Sequence, residues 1–231
     1  MKLHLLTDGN SKTKKNTKIG YYTAILHLAP NTQSGRNTCP NSSPSCRANC
    51  LWYAGGFRYP KIRQITIDKT NLFFDNREKF LNYLHSDLYH IEELAAKAGL
   101  KPSVRLNGTS DIRWHKVDVT LFTKHPNINF YDYTKNPDVA IDFIKGKLPT
   151  NYHITFSRSE INDKFIQKHI QGKMQVAMVV DEKLKDSLLA AKNNDKIDGD
   201  EHDARFKNNV GIVLLKAKHK AKTEKNGFVL R

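Results

Sequence analysis

Cysteine is scarce in this chain of 231 residues: there are three, Cys39, Cys46 and Cys50, all in one short stretch. An odd number so closely spaced excludes the disulfide framework of a small secreted domain and suits a reducing compartment, where thiols serve metals or redox chemistry. No apolar run reaches the ~18 residues of a membrane span, and Met1 to Lys18 is polar and lysine-rich, without the apolar stretch of a signal peptide. The expected setting is the cytoplasm of a host cell, with no membrane contact. Internal repeats and low-complexity linkers are also missing, and the length suits one domain with its own core. Acidic residues are outnumbered, 23 against 38 Lys and Arg, for a formal charge of +15. That field attracts polyanions over a Debye length of about 8 Å, so the expected partner is nucleic acid, double-stranded DNA in the first instance.

What is present reads as a single α/β domain over 1–231. The alternating run Tyr21 to Leu28 is a strand ending at Pro30 and closes a basic arm; a loop rich in Asn, Ser, Gly and Pro follows and carries the cysteines, so that 1–60 is arm, strand and cysteine loop. A loop of that length is usually functional or tied down by a ligand. From Ile62 to Gly99 the apolar residues Leu72, Phe73, Phe80, Leu84, Leu88, Ile91, Leu94 and Ala95 keep helical spacing, which predicts two or three helices over 61–100. Short apolar runs then recur at Ser103 to Leu106, Ile128 to Tyr133, His153 to Phe156, Met174 to Val180 and Val210 to Leu215. With room for a helix between them, they predict βα units over 101–218, in a mostly parallel sheet or partial βα barrel. Residues 219–231 are left as a basic tail. Ligands of such sheets lie at the carboxyl ends of the strands, which places Asn107 to Asp111, Thr134 to Lys135 and Ser157 to Glu160 on one rim.

Three constellations could carry chemistry. The first is the C-x6-C-x3-C arrangement of Cys39, Cys46 and Cys50, whose thiolates could converge on zinc or an iron–sulfur cluster, with His27, His202 or His4 as a possible fourth zinc ligand. The second is Asp198 to Arg205, where four carboxylates and His202 repel one another unless a cation or donor compensates. Hard oxygen ligands suit Mg²⁺ or Mn²⁺, which could activate water against a phosphodiester; a solvated acidic turn is the alternative. The third is the pair of strand ends at Arg105 to Asp111 and Phe130 to Lys135. There Arg105, Asn107 and Thr109 could contact phosphate or base edges, and Tyr131, Tyr133, Trp114 and His115 could stack on bases. Ser157 and Arg158 could donate to phosphate, or a serine could cap a helix. Gly9 to Thr13 lacks the two-glycine frame of a P-loop and reads as part of the basic arm, and no H-E-x-x-H occurs.

Together, Thr38-Cys39-Pro40 with Cys46 and Cys50, Arg105 to Asp111, Phe130 to Lys135, Tyr152 to Glu160, and Asp198-Gly199-Asp200 with Asp203 and Arg205 resemble a family of phage-encoded proteins known as gene product eighty-eight. The likeness spans nearly the whole chain and implies a phage or phage-satellite origin. The cysteine loop is also similar to the cluster loops of radical SAM proteins, although those are spaced C-x3-C-x2-C. The basic charge and acidic cluster are similar to phage and satellite nicking endonucleases.

The expectation that joins these features is a metal-dependent endonuclease that nicks DNA. Asp200, His202 and Asp203 would hold the cation or position water, joined by Asp111, while Lys135 and Arg158 stabilise the developing charge. Arg105, Asn107, Thr109, Tyr131, Tyr133, Lys216, Lys218 and Lys220 would bind the nucleic acid, and the cysteines would hold a structural metal. One alternative is an iron–sulfur enzyme acting on a nucleoside, nucleotide or nucleic acid. The other is a DNA-binding protein without enzymatic activity whose metal supports the fold.

Overall fold

Parallel strands wound in sequence order dominate the computed structural model, which describes residues 4–8, 13–191 and 195–231; Gly9 to Lys12 of the basic arm lie outside the described residues. The strands are β1 (Leu6–Thr7), β2 (Tyr21–Leu26), β3 (Lys101–Arg105), β4 (Asn129–Thr134), β5 (Tyr152–Ser157), β6 (Val176–Val180), β7 (Lys196–Asp198), β8 (Ile212–Lys216) and β9 (Val229–Leu230). The helices are α1 (Pro44–Ala48), α2 (Pro60–Asp75), α3 (Arg77–Lys97), α4 (Trp114–Val117), α5 (Thr120–Thr123), α6 (Pro137–Ile144), α7 (Asp163–Phe165, continuing as a π turn to Ile170) and α8 (Glu182–Ala190). Among the described residues they form one open nine-stranded sheet of order β1-β2-β3-β4-β5-β6-β8-β7, with β9 also paired to β6; only β1 runs antiparallel to its neighbour. The mixed α/β single domain with a mostly parallel sheet is thus present, and the barrel does not close.

Because the order β2 to β6 never reverses, right-handed crossovers place the connecting helices on one face. The strands alternate accordingly. Ala24, Leu26, Val104, Phe130, Ile154 and Phe156 pack in the main core with Phe73, Phe80, Leu84 and Leu88 of α2 and α3 and with Trp114. The opposite face carries Thr23, Ser103, Arg105, Tyr131, Tyr133 and Thr155, too polar to pack against another apolar layer. Two segments cover it. The 3-10 helix Thr13–Ile19 brings Asn16, whose amide donates to Thr23 Oγ1 at 2.9 Å, and the strap after β7 lays Phe206 edge-on to Tyr21 and Tyr131.

Local signals explain most boundaries. Asn76 caps α3 through Lys79 N, Asn136 with Pro137 starts α6, and Asp181 caps α8. Gly99 closes α3 at φ +65°, where Leu100 N reaches back to Ala95 O at 2.9 Å. The end of the chain differs from the expected tail: His219–Thr223 is a 3-10 helix and β9 completes the sheet beyond the end of β5.

Candidate functional site

Cys39, Cys46 and Cys50 lie on the loop that follows the first parallel strand, β2, and therefore at the carboxyl edge of the sheet. Backbone hydrogen bonds attach that loop to the rim. Asp111 N donates to Thr38 O at 2.8 Å, Thr38 Oγ1 donates to Ala29 O at 2.6 Å, and the Cys39 thiol lies 3.5 Å from Thr109 O. Ser43 caps α1, with Pro44 at its first position, and a carboxylate from the β5 rim holds this end: Glu160 accepts from Ser43 Oγ at 2.7 Å and Ser45 N at 2.9 Å. On the other flank Cys46 packs against Ala217, Ala221, Phe228 and Val229, and the buried Glu224 accepts from Ser45 Oγ at 3.2 Å. The cysteine loop is thus anchored by residues from four later parts of the chain.

The thiols are free and half-buried. Desolvation pushes Cys39 up to about 11, against hydrogen bonds from Asn31 N and Thr38 that favour the thiolate, and it also raises Cys50. Cys39 feels the charges of Cys50 and Asp111, and Cys50 feels Cys46 and Lys135, so the thiols and the strand-end charges share one electrostatic neighbourhood. Among the described residues, however, no group of three or more His, Cys, Asp or Glu is drawn together closely enough to hold a metal ion as it stands.

The rim residues divide. Asp111 accepts from Thr134 Oγ1 at 2.6 Å and Lys135 N at 3.0 Å, and burial raises its pKa; Lys135 Nζ donates to Ser157 Oγ at 2.9 Å. Both stay beside the cysteines. Thr109 gives its hydroxyl to Leu28 O. Asn107 is a buried hub, its amide engaged by Ser110, Ile112, Trp114 and Asp132, so its side chain meets no ligand. Arg158 grips Asp163 with two parallel bonds at 2.8 and 2.7 Å and reaches Gly227 O at 2.6 Å, which locks β9 in place.

The acidic segment does not converge on Asp111. Asp200 accepts from Lys185 at 2.9 Å, Lys218 at 3.0 Å and Lys216 N at 2.9 Å, which hold its carboxyl well below the usual range despite partial burial, and Lys185 also pairs with Asp198 at 2.6 Å. Lys216 and Lys218, expected at the nucleic acid, face carboxylates of their own chain, Lys216 reaching Glu182 through its ammonium group. Asp203 is buried on the polar sheet face, accepting from Tyr131 at 3.0 Å, Tyr133 at 3.3 Å and Arg105 at 3.4 Å. Arg105 lies over the Tyr133 ring. Tyr131 and Trp114 are buried, so neither presents a face to a base; the stacking surface expected of them is absent because these side chains belong to the two sides of the sheet's own packing. His202 sits beside Arg205, accepting through its carbonyl oxygen.

His27, named from the sequence only as a possible ligand, stands at the end of β2 against Phe57, and its Nδ1 is buried with no hydrogen-bond partner among the described residues. A side chain at residue 108 would collide with it, since a Cβ there would come within 2.6 Å of Nδ1. Burial, with Arg105 and Lys69 nearby, drives the imidazole down to about 3, leaving it neutral.

Fold and rim together define a class: an open, sequentially wound parallel α/β protein with a thiol-bearing loop across the carboxyl edge of its strands. The chain belongs to the phage family described as Gene product 88, whose model matches residues 4–231. No curated protein and no solved structure matches it. Among the described residues no helix is long and apolar enough to cross a membrane.

Proposed function

We propose that the chain is an iron–sulfur enzyme acting on a nucleotide or nucleic acid at the carboxyl edge of its sheet, with Cys39, Cys46 and Cys50 as the ligands. The observation that carries this reading is the attachment of the cysteine loop to the strand-end rim, where Asp111 N donates to Thr38 O at 2.8 Å and the Cys39 thiol lies 3.5 Å from Thr109 O, so that thiols and strand-end polar groups adjoin. The donor set fits: three thiols on one loop, none in a disulfide, with the Asn31 N–H directed at Cys39 Sγ. Cys46 lies on α1 and Cys50 two residues past its end, so holding a cluster would require the loop to rearrange and draw the three sulfurs together. A cluster held by three thiolates would keep one iron open to a substrate donor. Around it, Lys135 would neutralise a substrate phosphate, Asp111 would accept a hydrogen bond from a substrate hydroxyl or amino group, and His27 would stay neutral.

This reading is favoured over DNA nicking because the carboxylates that would hold Mg²⁺ or Mn²⁺ are engaged elsewhere, Asp200 by the ammonium groups of Lys185 and Lys218 and the backbone N–H of Lys216, and Asp203 by Arg105 and two tyrosines. The test is oxygen-free purification followed by iron, sulfide and zinc analysis. A brown protein carrying several irons and matching sulfide, both lost in Cys46→Ser, is the expected result. A colourless protein with one zinc, or iron retained in Cys46→Ser, would overturn it.

A further inference from the structure

Between Asp8 and Asp68 the chain contains no acidic residue, while nine Lys and Arg fall in the same stretch. The cysteine loop lies in its middle. Directly after Cys50, two short 3-10 turns, Leu51–Tyr53 and Gly55–Arg58, are clipped together by Arg63, which donates to Trp52 O and Phe57 O. On them and on the start of α2 are several large apolar side chains left in the open: Leu51 is 53% exposed, Tyr53 43% and Tyr59 66%, with Ile62 and Ile65 beyond. Arg58 and Lys61 stand exposed among them, and Lys220 Nζ lies 5.0 Å from the Tyr53 ring centre. Lys220 also lines a cavity of about 410 Å³ along α1, with Ser45, Ala48, Asn49 and Glu224. Tyr53 N donates to Cys50 O at 3.1 Å, so this aromatic and cationic surface begins at the thiol site itself.

An apolar patch of this kind marks an interaction surface. Its charge selects the partner: a stretch without acids repels cationic surfaces and attracts a polyanion. Its rings select further. Exposed tyrosines among cations are the pattern on which unpaired bases stack while phosphates meet lysine and arginine, whereas a duplex hides its base faces. We infer that single-stranded nucleic acid is the substrate class, seated across Tyr53, Tyr59, Arg58, Lys61 and Lys220 so that it runs past the cysteines. This rests on the iron–sulfur reading for the chemistry alone; binding needs no cluster.

The experiment measures anisotropy of a labelled single-stranded oligothymidylate of ~20 nucleotides, with the duplex of equal length and polyglutamate as competitors. The single strand is expected to bind more tightly than either competitor. Replacing Tyr53→Ala and Tyr59→Ala together is expected to weaken it by about tenfold or more, with unchanged melting, and the paired Phe replacements restore it. Should the alanine pair melt early, Arg58→Glu with Lys61→Glu tests the same surface and is expected to weaken binding as well. Equal affinity for polyglutamate or duplex, or strand binding untouched by these variants, would overturn the inference. Iron content measured on the same samples separates the two readings: strand binding without iron sinks only the cluster, and iron without strand binding sinks only the surface.

Discussion

Asn107 N donates to Asp132 Oδ1 at 2.6 Å while the Asn107 amide donates to Oδ2 at 3.3 Å, so one carboxylate at the helix-covered side of β4 sets the turn that ends β3. Tyr152 donates to the same carboxylate at 2.7 Å, and Asn107 Oδ1 in turn gathers Ser110, Ile112 and Trp114. Removing such a hub leaves several buried donors without partners, each costing ~1–3 kcal/mol. Asn107→Ala is expected to lower stability by about 3 kcal/mol or more in urea unfolding, by displacing the loop that carries Thr109 and Asp111.

Asp203 was expected from the sequence to serve activity; its surroundings give it a part in stability. Asp203→Ala would strand Arg105 on the polar face and leave Tyr131 without its acceptor, a loss of ~3–5 kcal/mol for breaking a buried pair. Asp200→Asn should cost clearly less, because Asp200 and Lys218 are partly solvated. Equal losses for the two variants, read by urea unfolding, would contradict this placement.

Metal uptake should depend on pH with a definite sign. Thiolates bind metal, and burial raises Cys39 to about 11, so near neutrality the proton must leave as the metal arrives. Apparent affinity is expected to rise with pH, by about tenfold per unit for each proton displaced. Anaerobic titration with Fe²⁺ or Zn²⁺ between pH 6 and 9, with proton release followed by a dye, checks it.

Acid should unfold the protein partly through His27. Its folded-state pKa, about 3, lies below the ordinary 6.5, so the unfolded chain binds the extra proton between those values and stability falls as pH drops through that window. The loss is about 1.4 kcal/mol per pH unit for one proton. His85, His115 and His153 are also lowered by burial and add slope of the same sign. His27→Asn is therefore expected to flatten the dependence without abolishing it, in denaturant titrations run from pH 7 to 4.

Periodicity alone made the scaffold legible. The runs at 21–28, 103–106, 128–133, 153–156, 174–180 and 210–215 each overlap a strand, and the helical spacing up to Gly99 gives α2 and α3, because burying one face imposes a period of two or of 3.6 on the chain itself. The short strands β1, β7 and β9 left no such trace, being two or three residues held mainly by a neighbour. Position along the strands likewise brought Asp111 and Lys135 to the same edge as the cysteines. The tertiary structure decided which polar residues remain available there. A carboxylate looks alike in sequence whether it meets a cation from solution or one from its own fold, and only three-dimensional proximity brings Lys185 to Asp200 and Arg105 to Asp203. The same holds for the aromatics: Tyr131 and Tyr53 are the same side chain, yet one lies under the strap and the other faces solvent, since burial is settled by what packs above a side chain and not by the side chain alone.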